Sequence, residues 1–182
     1  MRTFLRCPLC NKKPVSGLLG LPEYWYCTRC SLAWIKKFRR SRYDEDYYLG
    51  RSTYLSNLFV PLEALFYLMR QWYVKQKSMR LWVDVGAGDG GFLRTVRSEQ
   101  KIGVEISASG RTMMERRGLT TMSEKVFLGS RNLRADVISF WHVLEHMVNP
   151  WEYLAVASKN LSHKGLLVIG VPNLDSIELR LF

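Results

Sequence analysis

The sequence predicts an α/β fold, a parallel sheet flanked by helices, with a small cysteine-rich module in front of it. Two observations support this prediction. From residue 81 onward, short apolar runs alternate with segments of helical pattern, which is typical of parallel sheets built from strand–helix–strand units. All four cysteines lie within the first 30 residues, ahead of those runs. A chain of 182 residues is long enough for one such core and a small additional module.

Composition and charge narrow the class of protein. No uncharged apolar stretch approaches the ~18 residues of a membrane-spanning helix, and the N-terminus lacks the apolar core of a signal peptide, so we expect a cytoplasmic protein. The net charge of +11 is uneven: residues 1–80 hold 15 Lys/Arg against 5 Asp/Glu, and residues 81–182 hold 12 against 11. A basic front half indicates an anionic partner, such as nucleic acid, a phosphorylated substrate or an anionic membrane surface, unless it serves only solubility.

The first element is a pair of C-x-x-C turns. Cys7 and Cys10 form one turn, Cys27 and Cys30 form the other, and sixteen residues separate them. In a reducing compartment this spacing is typical of a tetrahedral zinc site. Four cysteines leave no open coordination position, so the zinc would be structural. We therefore predict a zinc ribbon over residues 1–35; the alternative is a redox pair or incidental thiols.

A basic run follows and opens residues 36–80, which we interpret as a linker and a helix. Basic side chains among aromatic ones can bind single-stranded nucleic acid, but such runs are more often solvated, and we favour a linker. The run contains Lys36, Lys37, Arg39, Arg40 and Arg42.

The second half of this segment, from Tyr54 to Arg80, predicts one long amphipathic helix. Pro61 suits a first helical turn, and large apolar side chains recur at helical intervals. We expect this face to pack on the following domain; a substrate lid or a membrane-surface contact is the alternative. The face consists of Leu62, Leu65, Phe66, Met69 and Tyr73.

The domain that follows, residues 81–182, opens with a glycine-rich turn. Leu81 to Val85 reads as a buried strand, Gly86 to Gly91 as a turn and Phe92 to Ser98 as the start of a helix. This strand–turn–helix context is the one in which glycines let a cofactor approach the backbone. The pattern G-x-G-x-x-G alone is weak, because a tight turn without a ligand can produce it.

Two carboxylates indicate which cofactor the turn serves. Ile102 to Ile106 predicts a second strand with Glu105 at its carboxyl end, where a carboxylate can accept the ribose hydroxyls of NAD or of S-adenosylmethionine. Asp84 stands two residues before Gly86. A carboxylate there would repel a pyrophosphate and attract the cationic amino acid end of S-adenosylmethionine, so we favour the latter.

Further strands are predicted near Leu119 to Met122, from Val137 to Phe140 and from Leu166 to Val171, with a helix after Pro150. With them, the motifs D-x-G-x-G-x-G, G-x-E, D-x-I-x-x-x-H-V-L-E-H-x-x-x-P and K-G-L-L-V-I-x-V-P-N occur in order. Together they resemble the class I S-adenosylmethionine-dependent methyltransferases, and most of all the subfamily with an N-terminal cysteine-knuckle zinc module.

The resemblance implies a Rossmann-like sheet and assigns cofactor contacts. The expected strand order is 3-2-1-4-5; five strands can be placed where the family has seven, which suggests a shortened chain or further strands that are dispensable. Glu105 would bind the ribose, and Met122 or Ser123 would lie near the adenine. The methionine portion would be held by Asp84, Gly86, Gly88 and Gly90.

The segment "HVLEH" supplies the candidate catalytic residues. His142, Glu145 and His146 follow the fourth strand, where the family places its catalytic face. A histidine or glutamate there can remove a proton from the nucleophile. Three interpretations stay open: Glu145 and His146 cap the next helix, His142 is the base or contacts the substrate, or all three bind a metal.

These patterns favour an S-adenosylmethionine-dependent methyltransferase that acts on a small or sugar-like, anionic molecule. An RNA methyltransferase that grips RNA with the zinc module and basic linker is the second hypothesis. A non-catalytic binding protein with a shortened fold is the third, and an NAD-dependent dehydrogenase fits least well. The sequence does not indicate the oligomeric state.

Overall fold

A computed structural model of the chain describes residues 5–18, 21–36, 65–72, 74 and 79–173. These residues form two sheets, and each sheet belongs to a different structural unit. Most of the predicted linker lies outside the described residues, including the basic run beyond Lys36 and the expected helix start at Pro61 and Leu62. The domain boundaries at residues 35 and 80 therefore stay predictions.

The N-terminal unit is a three-stranded antiparallel sheet in the order β1-β2-β3. Its strands are β1 (Val15–Leu18), β2 (Leu21–Cys27) and β3 (Leu32–Ile35). Trp25 and Trp34 are partners across β2 and β3, and the Lys36 ammonium lies 4.4 Å from the centroid of the Trp25 ring. The first C-x-x-C turn precedes β1 and the second joins β2 to β3.

The larger unit contains five parallel strands in the order β6-β5-β4-β7-β8. This order confirms the predicted Rossmann-like α/β fold and the strand order 3-2-1-4-5. The fifth strand starts earlier than predicted, and the second ends before Glu105, so that Glu105 lies in the loop beyond it. The bounds are β4 (Leu81–Val85), β5 (Gln100–Val104), β6 (Thr120–Met122), β7 (Ala135–Trp141) and β8 (Leu161–Gly170).

Helices connect these strands. The first is shorter than the predicted Phe92 to Ser98, because Val96 already has an extended backbone. Ser107 and Ser123 cap the second and third helices by accepting hydrogen bonds from Gly110 N and Val126 N. The bounds are α1 (Gly91–Thr95), α2 (Ala108–Arg116), α3 (Glu124–Gly129) and α4 (Pro150–Asn160), with a 3₁₀ turn over Leu144–His146.

Both faces of the central strands are buried. Val83 and Ile138 point into one hydrophobic cluster, and Trp82 and Val137 point into the cluster on the opposite face. Successive side chains of a strand alternate between faces, so Asp84 and Ser139 share the face of Trp82 and Val137. A polar pair thus interrupts an otherwise apolar layer near the carboxyl ends of β4 and β7.

The helix before the sheet presents a different face from the one predicted. In the helical segment 65–72, Tyr67 packs against Phe92 with ring centroids 5.8 Å apart. By contrast, 52%, 52% and 46% of the surfaces of Leu65, Phe66 and Met69 are exposed, so the expectation that these three are buried is wrong. The predicted face was defined by apolar side chains alone. The face of the helix that is partly buried also contains Arg70 and Gln71. Tyr73, the last member of the predicted face, lies outside the described residues.

Within the described ranges, no helix has the length and apolar character that crossing a bilayer requires.

Candidate functional site

The glycine turn joins β4 to α1 at the carboxyl edge of the sheet. Gly86, Gly88 and Gly90 all have positive φ angles, of 77°, 59° and 79°. A Cβ added at Gly86 would lie 2.4 Å from Val143 Cγ2, and one at Gly90 would lie 2.5 Å from Leu119 Cδ1. The turn therefore needs glycine for its backbone conformation and for close packing.

Glu105 holds this turn in place. Its side chain is buried, and its two carboxylate oxygens accept hydrogen bonds from Gly88 N at 3.0 Å and from Ser107 N at 2.9 Å. The carboxylate thus links the glycine turn to the loop between β5 and α2. Because a carboxylate has about four acceptor positions, these two bonds leave capacity for ribose hydroxyls.

Asp84 ends a chain of buried hydrogen bonds. Trp82 Nε1 donates to Ser139 Oγ at 2.8 Å, and Ser139 Oγ donates to Asp84 Oδ1 at 2.6 Å. All three side chains are buried. The indole therefore orients the hydroxyl, and the hydroxyl fixes the position of the carboxyl group.

The surroundings of Asp84 place its titration in the physiological range. Burial raises the pKa of Asp84 to about 7, while the Ser139 hydrogen bond and the Arg70 charge lower the pKa and the Glu105 charge raises it. The carboxyl group therefore changes charge near neutral pH.

A cluster of aromatic rings around Arg70 lies near this carboxyl group, and no pattern in the sequence predicts it. The Arg70 guanidinium carbon is 4.9 Å from the centroid of the Trp141 ring, 5.6 Å from that of Phe92 and 5.7 Å from that of Tyr67. The sequence signal that could have indicated this cluster is Trp141, which directly follows the predicted strand Val137 to Phe140 and precedes the candidate base His142.

The third strand places Met122 and Ser123 near the same edge. The Met122 carbonyl accepts a hydrogen bond from Glu105 N at 3.1 Å, and the Met122 side chain packs against the core. The Ser123 hydroxyl is used as the cap of α3. An adenine contact from either residue stays a prediction.

His142 has an uncommon backbone conformation at the end of β7. Its φ angle is 50°, in the left-handed region, and its N–H donates to Gly170 O at 2.9 Å. Its side chain is 56% exposed, and Nδ1 lies 3.7 Å from Glu145 Oε1. A strained, exposed imidazole beside a carboxylate suits a functional residue.

Two other interpretations of "HVLEH" receive less support. The N-cap of α4 is Asn149, followed by Pro150, so neither Glu145 nor His146 occupies the capping position. Among the described residues, the four cysteines are the single group of three or more His, Cys, Asp or Glu side chains that come within metal-ligand reach of one another. His142 and Glu145 approach each other without His146 completing a metal site.

The four cysteines come together as predicted. Their sulfur atoms all lie within 4.8 Å of one another, with Cys10 Sγ and Cys27 Sγ 3.6 Å apart, and none forms a disulfide. Asn11 and Ser31, which follow the second cysteine of each turn, both have a left-handed backbone, with φ of 58° and 49°. The two turns are therefore matched, and four such sulfurs suit a tetrahedral ion.

Comparison with protein families gives one match. The family described as "Methyltransferase domain" matches residues 59–182, which is most of the chain. No curated protein matches the chain.

Solved structures share the fold of the larger unit at low sequence identity. An S-adenosylmethionine-dependent methyltransferase from Archaeoglobus fulgidus is 20% identical, with 71% of this chain and 63% of that chain covered and a TM-score of 0.57. The S-adenosylmethionine-bound amino pentose methyltransferase CalS10 from Micromonospora echinaspora is 17% identical, with 74% and 59% covered and a TM-score of 0.53.

A third similar structure is the geranyl diphosphate C-methyltransferase from Streptomyces coelicolor, solved with Mg²⁺, geranyl diphosphate and S-adenosylhomocysteine. It is 18% identical, with 60% of this chain and 45% of that chain covered and a TM-score of 0.52. In each of the three structures, the matched region is less than two thirds of that protein's length.

Proposed function

The chain belongs to the methyltransferase-domain family, and from this premise we propose that it is an S-adenosylmethionine-dependent methyltransferase with a small-molecule substrate. The observation that carries the proposal is the arrangement at the carboxyl edge of the sheet. There the glycine turn, the Asp84 carboxyl group and Glu105 lie around one point, where parallel α/β sheets bind their ligands.

Each part of this edge suits one part of the cofactor. The turn that contains Gly86, Gly88 and Gly90 receives the methionine portion, and Asp84 attracts its ammonium group. Glu105 accepts the ribose hydroxyls with the acceptor positions that Gly88 and Ser107 leave. Met122 lies beside the adenine. A dinucleotide pyrophosphate is disfavoured, because the Asp84 carboxylate would repel its two negative charges.

His142 is the proposed base for the acceptor. Methyl transfer depends mainly on holding the nucleophile in line with the methyl group, and a general base adds the removal of a proton. Glu145 lies beside the imidazole, with Oε1 3.7 Å from His142 Nδ1. The metal role for His142, Glu145 and His146 is not proposed.

We infer a small, anionic or sugar-like substrate. CalS10 is an amino pentose methyltransferase, and the Streptomyces coelicolor structure contains geranyl diphosphate. The excess of basic residues in the first 80 residues of this chain favours an anionic molecule. An RNA substrate is the second candidate, because the same basic excess surrounds the cysteine module.

The N-terminal module is proposed to hold one structural zinc ion. Cys7, Cys10, Cys27 and Cys30 would supply four thiolates and close the coordination sphere. Such an ion takes no part in the transfer of the methyl group.

Calorimetric titration of the full chain with S-adenosylhomocysteine and, separately, with NAD tests the cofactor. We expect S-adenosylhomocysteine to bind and NAD to bind far more weakly. Glu105→Ala should lower the affinity for S-adenosylhomocysteine by ~1–3 kcal/mol, because it leaves buried ribose hydroxyls without an acceptor.

Glu99→Ala, an exposed glutamate just before β5, is the matched control and should leave the affinity unchanged. Equal affinity of the Glu105→Ala variant and the parent protein would contradict the ribose assignment. Tight binding of NAD without binding of S-adenosylhomocysteine would contradict the proposed function itself.

A further inference from the structure

The helical segment 65–72 turns a polar and aromatic face toward the larger unit. Gln71 Nε2 donates to Thr95 Oγ1 at 2.9 Å, and the Tyr67 ring packs on the Phe92 ring, so both side chains contact α1. Because Tyr67 and Gln71 are four positions apart, they lie on the same face of the helix. These contacts fix which face of the helix is directed inward.

The outward side of the same helix carries an apolar stripe, which we call the outer stripe. It has the spacing i, i+3, i+4 and i+7 of a continuous helical stripe, and the exposed fractions of its four side chains are 52%, 62%, 46% and 66% in chain order. A surface helix normally buries such a stripe against the core, so the usual arrangement is reversed here. Contiguous apolar surface left exposed marks a site of contact with a protein or a membrane. The outer stripe consists of Leu65, Leu68, Met69 and Trp72.

The charges that accompany the outer stripe are mainly positive. Residues 64–80 contain four Lys/Arg and no Asp/Glu, and residues 91–101, which include α1, contain three Lys/Arg and one Asp/Glu. Arg94 is exposed next to Thr95, the residue that Gln71 contacts. An apolar stripe that includes a tryptophan, with basic residues beside it, is typical of helices that lie in the interface of an anionic membrane. Each basic residue near such a surface adds to the attraction.

The same charges disfavour a second copy of the chain as the occupant of the outer stripe. Helices that pair through an apolar seam usually place charges of both signs beside it. Residues 64–80 carry charges of one sign only, so pairing two outer stripes would bring like charges together, which is unfavourable at an interface. A phospholipid surface supplies the apolar volume and the negative charge together.

We propose that the outer stripe inserts into the headgroup region of an anionic phospholipid membrane, with the helix lying along the surface. The inner face, through Tyr67 and Gln71, holds the helix on α1 while the outer stripe is in the lipid. The inference goes beyond the proposed function and does not depend on it, since it concerns a surface and not the cofactor edge of the sheet.

Flotation of the full chain with phospholipid vesicles tests this contact. We expect binding to vesicles of phosphatidylcholine mixed with phosphatidylglycerol, and weaker binding to vesicles of phosphatidylcholine alone, because the second kind lacks the negative surface charge. Leu68→Ser should weaken binding to the mixed vesicles by roughly tenfold, since it removes one inserted apolar side chain. Leu65→Ser, on the same stripe, should act in the same direction and serves if Leu68→Ser does not fold. The melting temperature of each variant checks its folding.

Val126→Ser is the matched control. Val126 is 56% exposed on α3, and its neighbour Phe127 belongs to one hydrophobic cluster of the sheet, whereas Tyr67 packs against the cluster on the opposite face. A membrane that holds the outer stripe would therefore not reach α3. The Val126→Ser variant should bind the mixed vesicles as tightly as the parent protein.

Three results would overturn the membrane contact. The first is a parent protein that floats with neither kind of vesicle. The second is equal binding of the mixed vesicles by the parent protein and by folded Leu65→Ser and Leu68→Ser variants, which would make the attraction purely electrostatic. The third is self-association in sedimentation velocity that Leu68→Ser abolishes, without vesicle binding, which would make the outer stripe an interface between two copies. Since S-adenosylhomocysteine takes part in none of these measurements, they leave the proposed function untouched.

Discussion

At the scale of single residues, the protonation of Asp84 should control cofactor affinity. The pKa of Asp84 is raised to about 7 by burial, so the carboxyl group is largely neutral below that pH. A cationic ammonium binds the ionised form better, and affinity for S-adenosylhomocysteine should therefore rise from pH 6 to pH 8 by up to ~10-fold per pH unit below the pKa. Titration calorimetry across this range measures the effect.

Ser139 should influence the pH at which protonation of Asp84 lowers the affinity for S-adenosylhomocysteine. Its hydroxyl donates to Asp84 Oδ1 and lowers the pKa of the carboxyl group, so Ser139→Ala should shift the loss of affinity to higher pH. Ser162→Ala removes a similar bond, from Ser162 Oγ to Asp136 Oδ1 at 3.2 Å, and should leave the profile unchanged. A profile that is flat in the parent protein would show that Asp84 does not bind the ammonium.

His142 should affect the rate of methyl transfer and leave cofactor affinity unchanged. Because its φ is 50°, the replacement must tolerate a left-handed backbone, and asparagine does so better than alanine. We expect His142→Asn to slow methyl transfer by ~10²–10⁴-fold, as for the loss of a general base. The measurement is single-turnover transfer to an identified acceptor, with the melting temperature as a check on folding. Normal turnover in a folded variant would remove the base from the mechanism.

Some residues of the candidate site could be predicted from the sequence and others could not. Glu105 and the glycines were identifiable, since a strand end followed by glycines has a characteristic pattern. The position of Arg70 was not, because it depends on contacts with Phe92 and Trp141, which lie more than twenty and seventy positions away along the chain. A contact of this kind leaves no local periodicity.

At the scale of elements, the strands were predicted better than the helix that precedes them. β4 was located from Leu81 to Val85 as predicted, because an apolar run that ends at Gly86 has unambiguous limits. The helical segment 65–72 turns Tyr67 toward α1 and leaves Leu65 and Phe66 half exposed. Hydrophobic periodicity predicted this helix correctly. It did not predict which face is buried, because the buried face includes Arg70, which packs on aromatic rings.

The three N-terminal strands should depend on the proposed metal. We expect one zinc per chain in protein purified without oxygen, and a chelator that removes it should unfold β1 to β3, since metal binding contributes folding free energy to such small modules. Hydrogen exchange measures this directly: amides of β2 should lose protection, while amides of β4 and β7 keep theirs. Protein without zinc, or a β2 that stays protected after zinc removal, would contradict the assignment.

At the scale of the whole molecule, the charge distribution allows a test between the two substrate classes. Because residues 1–80 carry 15 Lys/Arg against 5 Asp/Glu, we expect the full chain to bind RNA only non-specifically, with a Kd of ~10⁻⁴–10⁻⁶ M that weakens steeply with salt. Fluorescence anisotropy with unrelated single-stranded RNAs at several salt concentrations measures this. A preference for one RNA that persists at high salt would favour the RNA methyltransferase over the small-molecule enzyme.

The two bonds that Glu105 makes to the backbone have a kinetic consequence. Glycine loses more conformational freedom on ordering than other residues, and Gly88 is already fixed through its N–H by Glu105 Oε2. That entropy is lost when the chain folds, so a ligand that arrives later meets a turn that needs no rearrangement. The observed association rate of S-adenosylhomocysteine should then rise in proportion to its concentration in stopped-flow measurements. In the Glu105→Ala variant, where the turn must be ordered after encounter, the same rate should reach a plateau.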